Sequence, residues 1–346
     1  MRFGLVGAGN IGKIRARALQ NIPGCELTAI ADLDIERARA AASTGITIFA
    51  DYQRMLASDI VDAVVVSTPP QSHEEVVTTA LDAGKHVLCE KPLSNSVKAA
   101  QRMVEPSRRS GKTLASGFNF RYIPAVQYLK QTLDSGLIGE LDHVRGFAGH
   151  VGLSEFKAPW EYDKKVVGGG ALMDIGIHMI DLVRYILGDV AEVFGVATGN
   201  IWKLDGSEDN GFALMRNPQG KTGTLHATWS EWKGYRFQIE VYGNQGMIQA
   251  QYGPMRNTLI YMGQPGGQRR RKSNFYPMTA LQEKIHGWQW SIERSFRLEL
   301  ADFAQLTQGK NGTIADGFAG FRAVEIANAI YRSNQEKRPV QLVEPF

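Results

Sequence analysis

The sequence predicts an α/β first domain with a doubly wound parallel sheet, followed by an α+β domain of mostly antiparallel strands. Three observations carry this. A buried-strand pattern at Met1–Val6 runs directly into a glycine-rich turn and a helix. Apolar strands then alternate with helical patterns as far as Phe118, the order of a parallel sheet with crossover helices. Beyond residue 140 short alternating strands follow one another, separated by turns such as Asn217-Pro218-Gln219-Gly220 and Gly243-Asn244-Gln245-Gly246, as in antiparallel hairpins. The boundary is expected at 121/122, giving domains of 1–121 and 122–346, and a length of 346 residues suits two.

The first strand leads into Gly7-Ala8-Gly9-Asn10-Ile11-Gly12 and a helix over residues 11–21. This is the G-x-G-x-x-G fingerprint of a dinucleotide-binding Rossmann domain, in its strand–turn–helix context. Gly7 permits the tight turn, Gly9 lets a pyrophosphate approach the backbone, and Gly12 lets helix and strand pack closely. Asn10 and Ile11 open the helix, whose free N–H groups and positive dipole end suit phosphates. The strand at 26–31 ends at Asp32, twenty residues past Gly12, where a carboxylate accepts from ribose hydroxyls and repels a 2′-phosphate. NAD is therefore expected rather than NADP. Asp32 could instead cap the helix at 35–42, a role also open to Asp34.

A strand at 47–50 and a helix at 52–57 precede the uninterrupted apolar run Val61–Val66, which suits a parallel sheet covered on both faces. That run ends in Ser67-Thr68-Pro69-Pro70, at the carboxyl edge where open α/β sheets bind ligands, so Thr68 and Pro69 are cofactor candidates. His73 opens the helix at 72–83 and is a candidate for the cofactor's edge, or a cap. The strand at 86–89 delivers Glu90-Lys91-Pro92 to the same edge. There a lysine can stabilise a developing alkoxide or shuttle a proton, and a cis proline would aim it. An ordinary strand-end lysine is the plainer alternative. The helix at 96–109 contains Pro106, which should kink or shorten it. A sixth strand at 113–118 precedes Arg121, which suits either a substrate carboxylate or an interface.

In the second domain a helix at 124–134 precedes strands at 141–150, 190–198, 210–216, 223–230, 236–242 and 247–251, and a final helix covers 318–331. Trp202, Trp229 and Trp232 supply apolar area suited to burial against another subunit. Trp160 lies in an irregular lead-in to Gly168-Gly169-Gly170, after which Leu172, Ile175, Met179, Leu182 and Ile186 recur at helical spacing. Asp174 and His178 are four apart and so share a helix face. A carboxylate beside an imidazole orients a tautomer and tunes a pKa, as acid–base chemistry needs; a buried structural pair is the alternative.

The bulk properties exclude several classes. A net charge of +4 with interspersed signs makes no case for nucleic acid. The basic run Arg269-Arg270-Arg271-Lys272 reads as a solvated loop. The two cysteines, Cys25 and Cys89, stand outside any metal-ligand spacing and suggest a reducing compartment. No signal-like start and no apolar run of transmembrane length stand out. A soluble cytoplasmic protein is expected, without metal, membrane or nucleic-acid partner.

With Gly7-x-Gly9-x-x-Gly12, Glu90-Lys91-Pro92 and Gly169-Gly170-x-x-x-Asp174-x-Gly176-x-His178 in this order, the chain resembles the glucose–fructose oxidoreductase/inositol dehydrogenase (Gfo/Idh/MocA) family from its first strand to Ile330-Tyr331-Arg332-Ser333. The resemblance implies a Rossmann domain and then a large, mostly antiparallel open-faced sheet that usually mediates assembly, here as a homodimer or homotetramer. It implies NAD-dependent oxidation of a secondary alcohol on a sugar, polyol, inositol or glycoside. Lys91, Asp174 and His178 are then the catalytic set, with His178 the proton acceptor. Arg121 and Trp160 join them in binding substrate, and the cofactor set is Gly7, Gly9, Asn10, Ile11, Gly12, Asp32, Thr68, Pro69, His73, Glu90 and Lys91. Many relatives have Asn where this chain has Pro70, which removes a polar contact near the nicotinamide. The competing expectations are a redox-neutral enzyme that retains NAD while cleaving or epimerising a glycoside, and a non-catalytic NAD-binding sensor.

Overall fold

The computed structural model describes residues 1–154, 158–264 and 266–342. Pro265 of the turn before the basic run, and residues 155–157, lie outside the described residues. The chain forms two compact units, Met1–Tyr122 with Trp288–Val324, and Ile123–Gly287 with Glu325–Phe346.

The first unit is built on six parallel strands, β1 (Arg2–Val6), β2 (Glu26–Ala31), β3 (Thr47–Phe49), β4 (Ala63–Val66), β5 (His86–Glu90) and β6 (Leu114–Gly117), in the order β3-β2-β1-β4-β5-β6. Between them run α1 (Asn10–Leu19), α2 (Ile35–Ala41), α3 (Tyr52–Leu56), α4 (His73–Asp82) and α5 (Val97–Ser110). From β1 the chain winds outward one way through β2 and β3, then returns to β4 and winds the other way. The β1/β4 junction is therefore the topological switch point, where such sheets bind ligands. All four β4 residues are buried, as strands covered on both faces require.

Pro106 does not shorten α5. The helix runs through it to Ser110 and stops at Gly111, in the left-handed conformation at φ 66°. Ala99, Ala100, Met103, Val104 and Pro106 itself are buried along one face, and this burial outweighs the lost backbone bond. A helix that sequence reasoning missed, Gln289–Leu306, returns to this unit and buries Phe296, Leu300 and Phe303 in the same core as Phe3, Leu5 and Leu19.

The second unit carries a nine-stranded sheet. After α6 (Pro124–Asp134) come β7 (Leu141–Gly149), the short α7 (Lys164–Val167), α8 (Ile177–Leu187), β8 (Glu192–Thr198), β9 (Asn210–Arg216), β10 (Thr222–Thr228), β11 (Arg236–Gly243), β12 (Gly246–Tyr252), β13 (Arg256–Met262), β14 (Arg269–Phe275), α9 (Pro277–His286) and β15 (Val340–Gln341). The sheet order is β14-β13-β12-β11-β7-β10-β9-β8-β15, antiparallel except for the β7–β10 pair. The basic run is not a loop. Arg269–Lys272 pair with Leu259–Met262 as part of the edge strand β14, and their side chains stay exposed.

One face of the sheet is covered by α8, whose Val183 approaches Gly146 of β7 and Gly223 of β10. The helical stretch Lys164–Leu187 is, contrary to expectation, long and apolar enough to cross a membrane, with a mean hydropathy of 1.5 in its most apolar part. That part is 83% buried inside the fold, which is what a core helix on a sheet requires.

Candidate active site

In the first unit the site begins with the turn between β1 and α1. Gly7 has φ +92°, and a Cβ there would lie 2.8 Å from Ser67 O in the turn after β4. A Cβ on Gly12 would lie 2.1 Å from Gly7 O, so strand and helix meet at a distance only glycine allows. Gly9 is different: among the described residues, nothing lies within 4 Å of a Cβ built on it. The fold leaves that space open beside the N-terminus of α1, where Asn10 and Ile11 are exposed. These features fit the pyrophosphate of a dinucleotide.

Asp32 lies just past β2. Its carboxylate accepts from Ala8 N at 2.6 Å and Asp34 N at 2.8 Å, which fixes it against the glycine turn. Asp34 is the α2 cap, accepting from Glu36 N and Arg37 N at 3.1 and 3.2 Å. The capping alternative for Asp32 therefore belongs to its neighbour.

At the carboxyl edge, Thr68 and Pro69 follow β4, and Lys91 follows Glu90, the last residue of β5, with the Lys91–Pro92 peptide bond cis. Glu90 is buried and accepts from Arg15 Nε of α1 at 2.6 Å. The same guanidinium donates to Glu299 at 2.5 Å and lies over the Phe296 ring at 3.8 Å. Arg15 is fully buried, and the two carboxylates hold its pKa up against that burial. Burial pushes the Glu299 carboxyl up to about 7. Sequence reasoning missed this network, because Arg15 reads locally as a solvent-facing helix residue. His73 is fully buried and spans two backbone turns rather than capping its helix. Arg121 is also buried, and its Nη1 donates to Thr313 O at 3.1 Å within the same unit.

In the second unit, Gly168-Gly169-Gly170 lead into a helix whose opening segment, Leu172–Gly176, is wound as a π-helix before α8 continues. The spacing rule for Asp174 and His178 assumed α winding throughout; wider π turns recur at functional sites. The glycines are imposed by neighbours. A Cβ on Gly169 would lie 2.0 Å from Tyr331 Oη, and one on Gly170 2.1 Å from Glu208 O. Glu208 accepts from Gly170 N at 2.8 Å, Leu172 N at 2.7 Å and Tyr331 Oη at 3.0 Å, clamping the start of the helix. Burial pushes its carboxyl pKa up, against the pull of those bonds.

Asp174 Oδ2 accepts from His150 Nε2 at 2.8 Å and from Trp229 Nε1 at 3.0 Å. His178 is 5% exposed on the first turn of α8. His150 follows β7 and Trp229 follows β10, so the parallel pair at the middle of the sheet positions both donors. His150 had no spacing signal, and Trp229, expected as apolar area for a subunit contact, is fully buried inside its own unit. Tyr235 stacks on His150 with centroids 6.3 Å apart, and Trp202 donates to Trp229 O at 2.9 Å. Trp160 is 40% exposed in a single-turn helix, Pro159–Tyr162.

Residues 1–118 match the oxidoreductase family with an NAD-binding Rossmann fold, and residues 126–249 match the GFO/IDH/MocA C-terminal domain. The myo-inositol 2-dehydrogenase of Thermotoga maritima is 30% identical over 99% of both chains. The chain belongs to the Gfo/Idh/MocA family. As a member it is an NAD-dependent oxidoreductase. Another relative, the D-glucoside 3-dehydrogenase of Escherichia coli, is 28% identical over 99% of this chain and 97% of its own length. The fold matches levoglucosan dehydrogenase in complex with NADH at a TM-score of 0.88, with 22% identity and both chains fully covered. The open space at Gly9 and the carboxylate of Asp32 fit NAD on this chain's own geometry.

Proposed function

We propose that the protein oxidises a secondary alcohol of a sugar, polyol, inositol or glycoside to the ketone. The observation that carries this is Lys91 directly after β5, on the sheet edge that also presents the glycine turn. NAD, when bound, supplies the two-electron acceptor. His178 takes the hydroxyl proton as the carbinol carbon is oxidised, and the Lys91 ammonium stabilises the negative charge on the oxygen. Asp174, held by two side-chain donors, orients substrate or imidazole. An oriented base contributes about 10²–10⁴-fold, and a charge aimed at the developing oxyanion a few kcal/mol. Gly7, Gly9, Asn10, Ile11, Gly12, Asp32, Thr68 and Pro69 bind the cofactor on this reading, and Trp160 the substrate.

Assembly as a homodimer or homotetramer through the open face of the second unit's sheet is part of the same proposal. It is supported by the cross-strand pairs Phe194–Leu214 and Val196–Phe212, whose four side chains are each 40–46% exposed. A cytoplasmic setting is supported by Cys25 and Cys89, both free thiols.

The test is NADH formation with myo-inositol, other inositols, sugars and glycosides, using Lys91→Met and His178→Asn as controls. Turnover that collapses in both variants while NADH binding persists supports the assignment. Undiminished turnover, or equal losses of turnover and cofactor affinity, would overturn it.

A further inference from the structure

His73 is fully buried at the first position of α4, and both of its ring nitrogens meet backbone carbonyls. Nε2 lies 2.7 Å from Thr68 O in the turn after β4. Nδ1 lies 3.1 Å from Pro92 O and 3.2 Å from Leu93 O, in the turn after β5. The pairing of β4 with β5 ends at Val66 opposite Cys89, so the imidazole continues the link between these strands beyond their last paired residues. One of the joined turns carries Thr68 and Pro69. The other begins at Lys91.

A carbonyl oxygen only accepts, so each turn offers the ring a use for a proton. The neutral ring satisfies one side at a time and the imidazolium both. Burial lowers the His73 pKa, outweighing the upward pull of the carbonyls and nearby Glu90. A histidine that merely filled space would have no need to address two different turns. We propose that His73 is a positioning residue whose ring ties the Thr68 turn to the Pro92–Leu93 turn and so fixes Lys91 relative to bound NAD. This rests on the role given to Lys91 above.

Two substitutions separate the halves of the link. His73→Gln places an amide near the Nε2 position and retains a donor for Thr68 O; His73→Asn places one near Nδ1 and retains a donor for Pro92 and Leu93. The readouts are NADH affinity by fluorescence titration, and the acetylation of Lys91 by acetic anhydride with and without NADH, quantified by peptide mass spectrometry. Losing one such bond is worth about fivefold. His73→Gln is expected to keep NADH affinity within about twofold while Lys91 loses its NADH-dependent shielding. His73→Asn is expected to weaken NADH about fivefold with Lys91 still shielded. Both variants moving both readouts together, neither moving either, or both failing to melt cooperatively would overturn the positioning role. A parent protein whose Lys91 is equally reactive with and without NADH would instead overturn the assignment of Lys91 itself.

Discussion

His150 Nε2 lies 2.8 Å from Asp174 Oδ2, so the carboxylate four residues before His178 is held by an imidazole from elsewhere in the chain, the residue just past β7. Asp174 is half-buried, and removing one hydrogen bond to a charged group of this kind costs about 1.5–3 kcal/mol. His150→Phe should therefore lower kcat by about 10- to 100-fold with little change in NADH affinity. His150→Gln, which keeps a donor near Nε2, should recover part of the loss. Steady-state kinetics beside NADH titration distinguish this from a general loss of fold, in which both quantities fall.

The glycines divide by what surrounds them. Among the described residues nothing lies within 4 Å of a Cβ built on Gly9, whereas one on Gly170 meets Glu208 O at 2.1 Å. Gly9→Ala should leave the urea midpoint nearly unchanged and weaken NADH at least about tenfold, because the added methyl occupies the pyrophosphate's path. Gly170→Ala should do the reverse, losing about 1–3 kcal/mol or more of stability through overpacking against backbone. A Gly9→Ala protein that binds NADH normally would count against the cofactor's place.

The Arg15 guanidinium is the buried partner of both Glu90 and Glu299. Arg15→Met strands two carboxylates without their cation and should cost about 3–5 kcal/mol in chemical denaturation.

Burial raises the Glu299 carboxyl to about 7, so the folded chain keeps a proton that the unfolded chain has already released. Its contribution to stability is full below the ordinary carboxylate range and is lost as pH rises through that range toward 7. Glu299→Gln, uncharged at every pH, should flatten the fall in stability between about pH 5 and 7. An unchanged slope would place the titration elsewhere.

Phe212 and Leu214 lie on the open face of β9 and are paired across to Val196 and Phe194 of β8. If that face joins subunits, Phe212→Glu with Leu214→Glu should shift sedimentation toward a monomer while the melting transition stays cooperative.

The first unit was legible nearly strand by strand, because parallel strands buried on both faces are continuous apolar runs and the glycine turn punctuates them. The second sheet was legible through β12. It failed at β13 and β14, where Asn257 and Thr258 are buried polar residues and Arg269–Lys272 are consecutive cations, so neither strand shows an apolar period of two. The Asp174–His178 spacing drew attention to this helix, but the partners of Asp174, His150 and Trp229, come from 24 and 55 residues away, and no local pattern encodes such contacts. Arg15 and Glu299 are 284 residues apart and escaped notice for the same reason.

The nine-stranded sheet stops at β14, whose outer edge carries four cationic side chains in succession on a backbone otherwise ready to accept another strand. A second copy adding itself there in antiparallel register would bring its own arginines against these. The repulsion guards the one long edge that β15, only two residues at the opposite end, leaves unmatched in length. It is a guard made of charge rather than shape, so it weakens as ionic strength shortens the reach of each cation to a few ångströms. Concentrated salt, which steadies many proteins, is therefore the condition under which this one should be watched for end-to-end growth.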